Sequence, residues 1–154
     1  MGPDMITTSR EGVAFLERHE GVRLTAYRDP VGIWTIGAGL TAASGVVTPR
    51  AGMTITAAEA SRLLALALAR NYEPAVRAAM PGASQAAFDA GVSFHFNTGA
   101  IGRARWVKLW REKASAEAIQ AALLSWVKAG GRTLPGLVTR RKEEGRLLLT
   151  GRYR

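Results

Sequence analysis

The sequence has no cysteine, and its 154 residues include only 2 histidines and 12 acidic residues. Without cysteine the chain can form neither a disulfide nor a thiolate metal site, so its fold does not depend on redox state. Long apolar runs are also lacking. The longest, LLALALA at residues 63–69, is too short to span a bilayer. The first residues, MGPDMITTSREG, contain no apolar run, which predicts a chain made without a signal peptide.

Because acidic residues are few, the 21 basic residues give a formal net charge of +9. A surface this basic favours a polyanionic partner, and nucleic acid, anionic lipid and bacterial cell wall all qualify. A nucleic-acid binder should interleave basic and aromatic residues, and we find no such cluster. A membrane-disrupting protein is the other alternative, because segment 136–154 is basic and partly amphipathic. A DNA-binding assay and release of sugar reducing ends from lipid-free purified wall would separate the three classes.

The first third of the chain predicts a helix followed by a hairpin. Thr8 and Glu11 form a capping-box pattern that starts the helix, and Gly21 is a suitable stop. Residues 22–48 are rich in turn residues. Within them the runs RLTAYR and IWTIG flank DPVG, which predicts two antiparallel strands joined by a type I turn.

The rest of the chain is predicted to be helical. Thr56 and Glu59 form a second capping box at the start of a helix rich in Ala and Leu. This helix extends to about residue 79, although Pro74 should kink or interrupt it. Ser84 caps a third helix. Further helices are predicted at 103–112, 115–128 and 136–149. We therefore expect a single domain, 1–154, with a mixed lobe at about 1–55, a connecting helix at about 56–80 and a helical lobe at about 81–154.

The segment HEGVRLTAYRDPVGIWTIGAGLT, residues 19–41, places two carboxyl groups and a threonine in the most irregular part of the chain. Hydrolysis of a glycosidic bond needs an acid for the leaving oxygen and a second carboxylate that activates water or stabilises the charged sugar. Glu20, at the negative end of a helix dipole, suits the proton donor. Asp29 begins a turn and should be more exposed to water. Thr35 could face Asp29 across the hairpin and help to hold a water molecule.

This segment resembles the corresponding motif of the phage-type lysozymes, glycoside hydrolase family 24. There a Glu-Gly pair ends the first helix, an Asp follows nine residues later, and a Thr six residues after that lies within TIG-x-G. The resemblance continues in QAAFDAGVSFHFNTGAI at 85–101 and in SWVKAGG…LPGLVTRRKEEGRLL at 125–148. It implies an α+β lysozyme-like fold, in which a long helix joins a small N-terminal lobe with a short antiparallel β-sheet to a larger helical C-terminal lobe.

The resemblance also implies a role for each matching residue. Glu20 would be the general acid, Asp29 the second carboxylate and Thr35 the residue that positions the attacking water. The residues implied to touch the substrate are Thr41, Phe96 and Asn97.

Four further positions need interpretation. The resemblance implies that either Arg140 or Arg141 forms an ion pair near Glu20, and the sequence does not choose between them. Leu40 stands where the family often has His. Because that His looks structural in relatives, we expect the difference to affect stability more than activity. We interpret His19 as a partly exposed helix residue and not as a catalytic base.

As a family member the chain would cleave the β-1,4 bond between N-acetylmuramic acid and N-acetylglucosamine in peptidoglycan, with inversion, and so lyse the bacterial cell wall. No metal or organic cofactor is implied. The implied partners are peptidoglycan glycan strands and a holin for release, with no nucleic acid and no stable membrane insertion. We expect a monomer that is made in the host cytoplasm and acts on the wall after release.

Overall fold

The computed structural model describes residues 5–154, so residues 1–4 of the expected domain lie outside the described residues. Helices dominate this part of the chain, and two small antiparallel sheets accompany them, which confirms the α+β class. In chain order the elements are α1 (Arg10–Glu20), β1 (Arg23–Arg28), β2 (Trp34–Gly37), α2 (Ala57–Asn71), α3 (Glu73–Ala79), α4 (Gln85–Thr98), α5 (Arg105–Arg111), α6 (Ala116–Leu123), β3 (Lys128–Ala129), β4 (Arg132–Thr133) and α7 (Pro135–Thr150).

The start of α1 differs from the prediction, whereas its end agrees with it. Ser9, not Thr8, is the N-cap, and its hydroxyl accepts from the amide of the third helical residue at 3.0 Å. Thr8 instead donates its amide, at 3.0 Å, and its hydroxyl, at 2.6 Å, to the carboxylate of Glu73. The capping box predicted here is therefore wrong. Gly21, with φ of +75°, ends the helix directly after Glu20.

The hairpin β1–β2 is built as predicted. Its strands are antiparallel, and Tyr27 lies opposite Thr35. In the turn between the strands the amide of Gly32 donates to the carbonyl of Asp29 at 2.9 Å. The hairpin therefore begins two residues after Gly21, and its turn follows the first strand directly.

The hairpin packs on α2 through a small apolar core. Leu40, which is buried, belongs to this core, so the position where the family often has His contributes apolar packing here. The buried members of the cluster are Ile36, Leu40, Ile55, Ala60, Leu63 and Ala67.

The larger core surrounds α4. Eight consecutive residues, 87–94, are buried in this helix, so it is covered on all sides, as expected for a central helix. Helix α7 packs along it, and the rings of Trp106 and Trp126 meet Phe94 edge-on at centroid distances of 5.2 and 5.4 Å.

The connecting helix is interrupted near Pro74, as predicted. It is broken at Tyr72 into α2 and α3, because proline is tolerated only in the first turn of a helix, and Pro74 lies there in α3. The helix predicted to reach residue 128 ends at Leu123, where the hydroxyl of Ser125 donates to a helix carbonyl at 2.6 Å. The hairpin β3–β4 follows. Its two-residue turn, Gly130 and Gly131, has positive φ at both positions, as a type I′ turn requires.

Candidate active site

Glu20 is the last residue of α1, and an arginine from the far end of the sequence holds its carboxylate. Arg140 Nη1 donates to Glu20 Oε2 at 2.5 Å. The Glu20 side chain is 22% exposed, whereas that of Arg140 is 6% exposed. The sequence left the choice between Arg140 and Arg141 open, and the structure places Arg140 at Glu20.

Three elements fix the guanidinium of Arg140. Its Nη1 reaches Glu20 on α1, its Nη2 donates to the backbone carbonyl of Ser93 on α4 at 3.0 Å, and its Nε donates to Glu144 on its own helix at 3.3 Å. A planar guanidinium bound at three nitrogens has little freedom to rotate. The direction of the Glu20 carboxylate is therefore set by α4 and α7 as well as by α1.

Glu144 is a buried carboxylate between two arginines. It accepts from the hydroxyl of Ser93 at 2.5 Å, and its Oε1 lies 2.8 Å from Nε of Arg141, although that N–H does not point at the oxygen. Burial raises the pKa of Glu144, and the charges of Arg141 and Arg140 act in the opposite direction. Glu144 is thus the buried carboxyl group that both arginines share inside the protein.

Arg141 turns toward the end of α4. Its Nη2 donates to the side-chain carbonyl of Asn97 at 2.7 Å, and its guanidinium lies over the ring of Phe94, 5.1 Å from the centroid. Arg141 is fully buried, whereas Asn97 is exposed. One buried network therefore leads from Glu20 through Arg140, Glu144 and Arg141 to Asn97.

The turn of the hairpin holds Asp29 by one oxygen. Asp29 Oδ1 accepts from the amides of Val31 and Ile33 at 3.0 and 2.8 Å. The backbone amide of Asp29 also donates to the carbonyl of Ile33 at 2.9 Å. Among residues 5–154, Oδ2 has no hydrogen-bond partner, so this oxygen remains an acceptor on a side chain whose orientation is fixed.

Thr35 lies close in sequence to Asp29, but the two side chains, both within the described residues, do not share a hydrogen bond. The hydroxyl of Thr35 donates to the carbonyl of Ile33 at 2.9 Å, and the side chain is 3% exposed. Ile33 thus connects both residues, through its amide to Asp29 and through its carbonyl to Thr35. The donor capacity of Thr35 is used, and its oxygen can still accept.

A cavity of about 300 Å³ brings together two of the expected sugar-binding residues. Thr41 lines it from the loop after β2, and Phe96 lines it from α4. Tyr72, at the break between α2 and α3, also lines the cavity and packs against Phe96 with ring centroids 4.9 Å apart. Burial and the charge of Glu20 raise the pKa of Tyr72, so Tyr72 lies within electrostatic range of Glu20. Asn97 does not line this cavity.

The family assignment rests on a match that covers most of the chain. Residues 17–144 match the phage lysozyme family, and this range contains Glu20, Asp29, Thr35 and the network up to Glu144. The chain belongs to the phage lysozyme family. It is therefore a lysozyme, an enzyme that hydrolyses bacterial peptidoglycan.

Relatives and solved structures agree with this assignment. This chain is 35% identical over 151 residues to the endolysin of Salmonella phage P22, and the match covers 95% of this chain and 100% of that one. Its fold superposes on a P22 lysozyme mutant with a TM-score of 0.83, at 35% identity and the same coverage. The muramidase domain of SpmX from Asticaccaulis excentricus gives a TM-score of 0.79 at 32% identity, over 94% of this chain and 98% of that one. In residues 5–154 no helix has the length and apolar character needed to cross a membrane.

His19 directly precedes Glu20, yet its surroundings do not suit a base. The side chain is 12% exposed, which agrees with the predicted partly exposed helix residue, and its ring packs edge-on against Phe15 at 4.8 Å. Burial lowers the pKa of His19, and the charge of Arg140 lowers it further. His19 is thus neutral at pH 7, and its contact with Glu143 at 3.4 Å is not an ion pair there.

Sequence reasoning missed Glu144, Ser93 and Tyr72. A signal for Glu144 existed, because the spacing of Arg140, Arg141 and Glu144 allows ion pairs one helical turn apart. The burial of all three had no such signal, because RRKEE has the composition of a solvated helix face. Tyr72 lies at the interruption that Pro74 predicts, but no pattern in the sequence indicates that its ring lines the cavity.

Proposed function

We propose that this lysozyme cleaves the β-1,4 bond between N-acetylmuramic acid and N-acetylglucosamine with inversion at the anomeric carbon. Glu20 is the general acid, Asp29 is the base, and Thr35 positions the water. The observation that carries the proposal is the placement of Glu20, held by Arg140, at a helix end directly before the hairpin that presents Asp29 and Thr35.

Glu20 gives its proton to the glycosidic oxygen as the bond to the anomeric carbon breaks. This transfer requires the carboxyl group to keep one orientation toward the bound sugar, because misplacement of about 1 Å costs about 100-fold in rate. Arg140 supplies that constraint, since Ser93 and Glu144 fix its other nitrogens. Arg140 is therefore a positioning residue for the acid.

Asp29 receives a proton from the attacking water. Its Oδ1 is occupied by two backbone amides, which leaves Oδ2 for the water. The second hydrogen of the water has an acceptor in the hydroxyl oxygen of Thr35, whose own proton is committed to Ile33. A water molecule that donates to both residues directs a lone pair away from them, toward the sugar.

The substrate lies against both lobes in this proposal. Thr41 and Phe96 contact sugar at the cavity that they share, and Asn97 offers a polar contact at the end of α4. Tyr72 adds an aromatic surface beside Phe96. Aromatic faces pack well against the apolar faces of sugar rings, while the polar groups bind hydroxyl and acetamido groups.

The anomeric form of the first product tests the mechanism. An inverting enzyme leaves room for water, with carboxyl groups ~6.5–9.5 Å apart, and converts a β-linkage into an α-anomer. Proton NMR read before mutarotation should therefore show the α-anomer first, and Glu20→Gln protein serves as the blank. An initial β-anomer would overturn inversion. Borohydride reduction followed by mass spectrometry identifies the new reducing end, and reduced N-acetylglucosamine in place of reduced N-acetylmuramic acid would overturn the proposed bond.

Dependence on a holin and the monomeric state stay predictions from the family resemblance. Expression in a bacterium with and without a pore-forming protein tests the first. Lysis without the pore would contradict it. Sedimentation equilibrium tests the second.

A further inference from the structure

His95 supports the aromatic wall of the substrate cavity without lining the cavity itself. That wall consists of Tyr72 and Phe96, whose ring centroids are 4.9 Å apart. The ring of Tyr72 also meets the ring of His95, at a centroid distance of 5.6 Å and an angle of 77°. Two consecutive residues of α4 thus contact Tyr72, and of these two only Phe96 lines the cavity.

The direction of the Tyr72 ring depends on α4. Tyr72 lies at the break between α2 and α3, outside both helices, and its side chain is only partly buried. Its aromatic contacts within residues 5–154 are those with His95 and Phe96. Displacement of His95 would therefore remove one of the two rings that hold Tyr72 beside Phe96.

A hydrogen bond that only a neutral imidazole can form fixes the ring of His95. Its Nδ1 accepts from the backbone amide of Ile101 at 3.3 Å. A ring nitrogen accepts only when it carries no proton, so His95 is neutral here, with its proton on Nε2. Ile101 is 1% exposed. Between the two residues the chain turns at Gly99, whose amide donates to the carbonyl of His95 at 2.7 Å. The turn therefore fixes the donor as well.

The contacts of this imidazole are with uncharged groups. Tyr72 faces it from the break between α2 and α3, and burial and the charge of Glu20 raise the pKa of Tyr72, so the phenol is neutral at pH 7. The turn after α4 faces it with the backbone amide of Ile101. Burial lowers the pKa of His95 from 6.5, and no charged group within residues 5–154 adds to this shift. His95 thus takes up its proton below pH 6.5.

We propose that His95 is a positioning residue for Tyr72 and Phe96, and that protonation of its ring loosens this wall. A protonated imidazole carries hydrogen on both nitrogens, so Nδ1 and the amide of Ile101 would be two donors facing each other. The ring must then turn away from Ile101, which changes its contact with Tyr72. The proposal rests on the proposed function only where it says that Tyr72 and Phe96 bind sugar. Affinity for glycan should therefore fall as His95 is protonated.

The pH dependence of KM tests this role. Parent and His95→Phe are compared on soluble glycan strands from pH 7.5 to 5. In the parent KM should rise about fivefold, the effect of one lost hydrogen bond on an equilibrium, while the ratio of kcat between the two proteins stays constant. His95→Phe keeps a ring but neither titrates nor accepts from Ile101, so its KM should be independent of pH and close to that of the parent at pH 5. An equal rise in both proteins would overturn the proposal.

The chain contains two histidines, and His19 supplies the matched control. His19→Gln removes the other imidazole and should keep the rise in KM, so its loss in this variant would overturn the proposal. His95→Asn covers the case in which His95→Phe does not fold. Its side-chain oxygen can accept from Ile101 but does not titrate, so KM should again be independent of pH. A rise equal to that of the parent in His95→Asn would also overturn the proposal.

NMR of the free protein separates this proposal from the proposed reaction. As His95 titrates, the protection of the Ile101 amide against hydrogen exchange should fall. The nuclear Overhauser effects between the rings of Tyr72 and Phe96 should weaken with the same midpoint, also in Glu20→Gln protein. If neither changes across the titration, the proposal is overturned whether or not the enzyme hydrolyses glycan. If both change while KM of the parent stays constant, His95 keeps its positioning role, and the placement of sugar at Tyr72 and Phe96 in the proposed function is wrong.

Discussion

Arg141 donates a hydrogen bond of 2.7 Å to Asn97, a residue 44 positions earlier in the chain. Its neighbour Arg140 makes the equivalent contact with Glu20, 120 positions earlier. Both arginines share the buried carboxylate of Glu144. The proposed acid and a proposed sugar-binding amide are therefore fixed by the same charged centre, and disturbance of that centre should affect both.

Glu144→Gln should destabilise the protein by about 3–5 kcal/mol, because it removes the buried partner of two arginines and keeps their positive charge. The free energy of unfolding in urea measures the effect. Surviving protein should show a reduced kcat, since Arg140 loses one of the contacts that hold it against Glu20.

Glu143→Gln is the matched control on the same helix. Glu143 is half-exposed, and its described contact is with His19. We expect a change within about 0.5 kcal/mol. Equal destabilisation by the two variants would show that burial between arginines does not give Glu144 a special role.

Glu20→Gln should lower the hydrolysis of purified wall by at least about 100-fold, because the amide keeps the shape but cannot donate an acidic proton. The side chain is partly exposed and its amide oxygen can still accept from Arg140, so the unfolding transition should shift little. Clearing of wall at a tenth of the parent rate would exclude Glu20 as the acid.

Asn97→Ala should weaken substrate use more than folding. Loss of a polar contact to sugar should cost about 1–3 kcal/mol in kcat/KM. Asn97 is exposed, so its removal leaves no cavity, although Arg141 loses an acceptor. Kinetics on soluble glycan and urea unfolding are measured together. An unchanged rate at every substrate concentration, with unchanged stability, would remove Asn97 from the site.

The parts of the fold that the sequence predicted correctly are those specified locally. Ser84 and Thr56 cap the helices expected of them, and Thr56 completes its capping box with Glu59. Such caps involve residues within one helical turn. The hairpin around Asp29 could be predicted equally well, because its turn residues and strand-forming runs alternate over a short stretch of sequence.

The features that the sequence did not predict depend on distant partners. Thr8 fits a capping box by pattern, yet Glu73, 65 residues away, takes both of its donors. The sequence likewise did not decide the ion-pair partner of Glu20, because Arg140 and Arg141 are adjacent. Only the packing of α7 on α4 determines which of the two side chains points toward Glu20. The hairpin at Gly130 is different. Its two-residue Gly-Gly turn is a local signal that lies between the helices predicted at 115–128 and 136–149, and no strands were predicted beside it.

Tyr153, the residue before the last, gives a prediction about how stability depends on pH. It donates to the buried carboxylate of Asp89 at 2.7 Å, and Asp89 also accepts from the hydroxyl of Ser9 at 2.5 Å. This cluster joins the start of α1 and the middle of α4 to the end of the chain. Burial, together with the neighbouring carboxylate of Asp89, raises the pKa of Tyr153 from 10.0 to about 12.

The sign of the effect follows from the raised pKa. In the unfolded chain the phenol loses its proton near pH 10, whereas in the folded protein it keeps the proton until about pH 12. The contribution of Tyr153 to stability is therefore complete below pH 10 and is lost as the pH rises from 10 to about 12.

Tyr153→Phe should lower the free energy of unfolding at pH 8 by about 1 kcal/mol, the value of one hydrogen bond. The gap between parent and variant should then close between pH 10 and 12, because other ionisations are common to both proteins. Urea unfolding at one-unit intervals from pH 8 to 12 measures it, and a gap that stays constant throughout would show that Tyr153 does not hold its proton through Asp89.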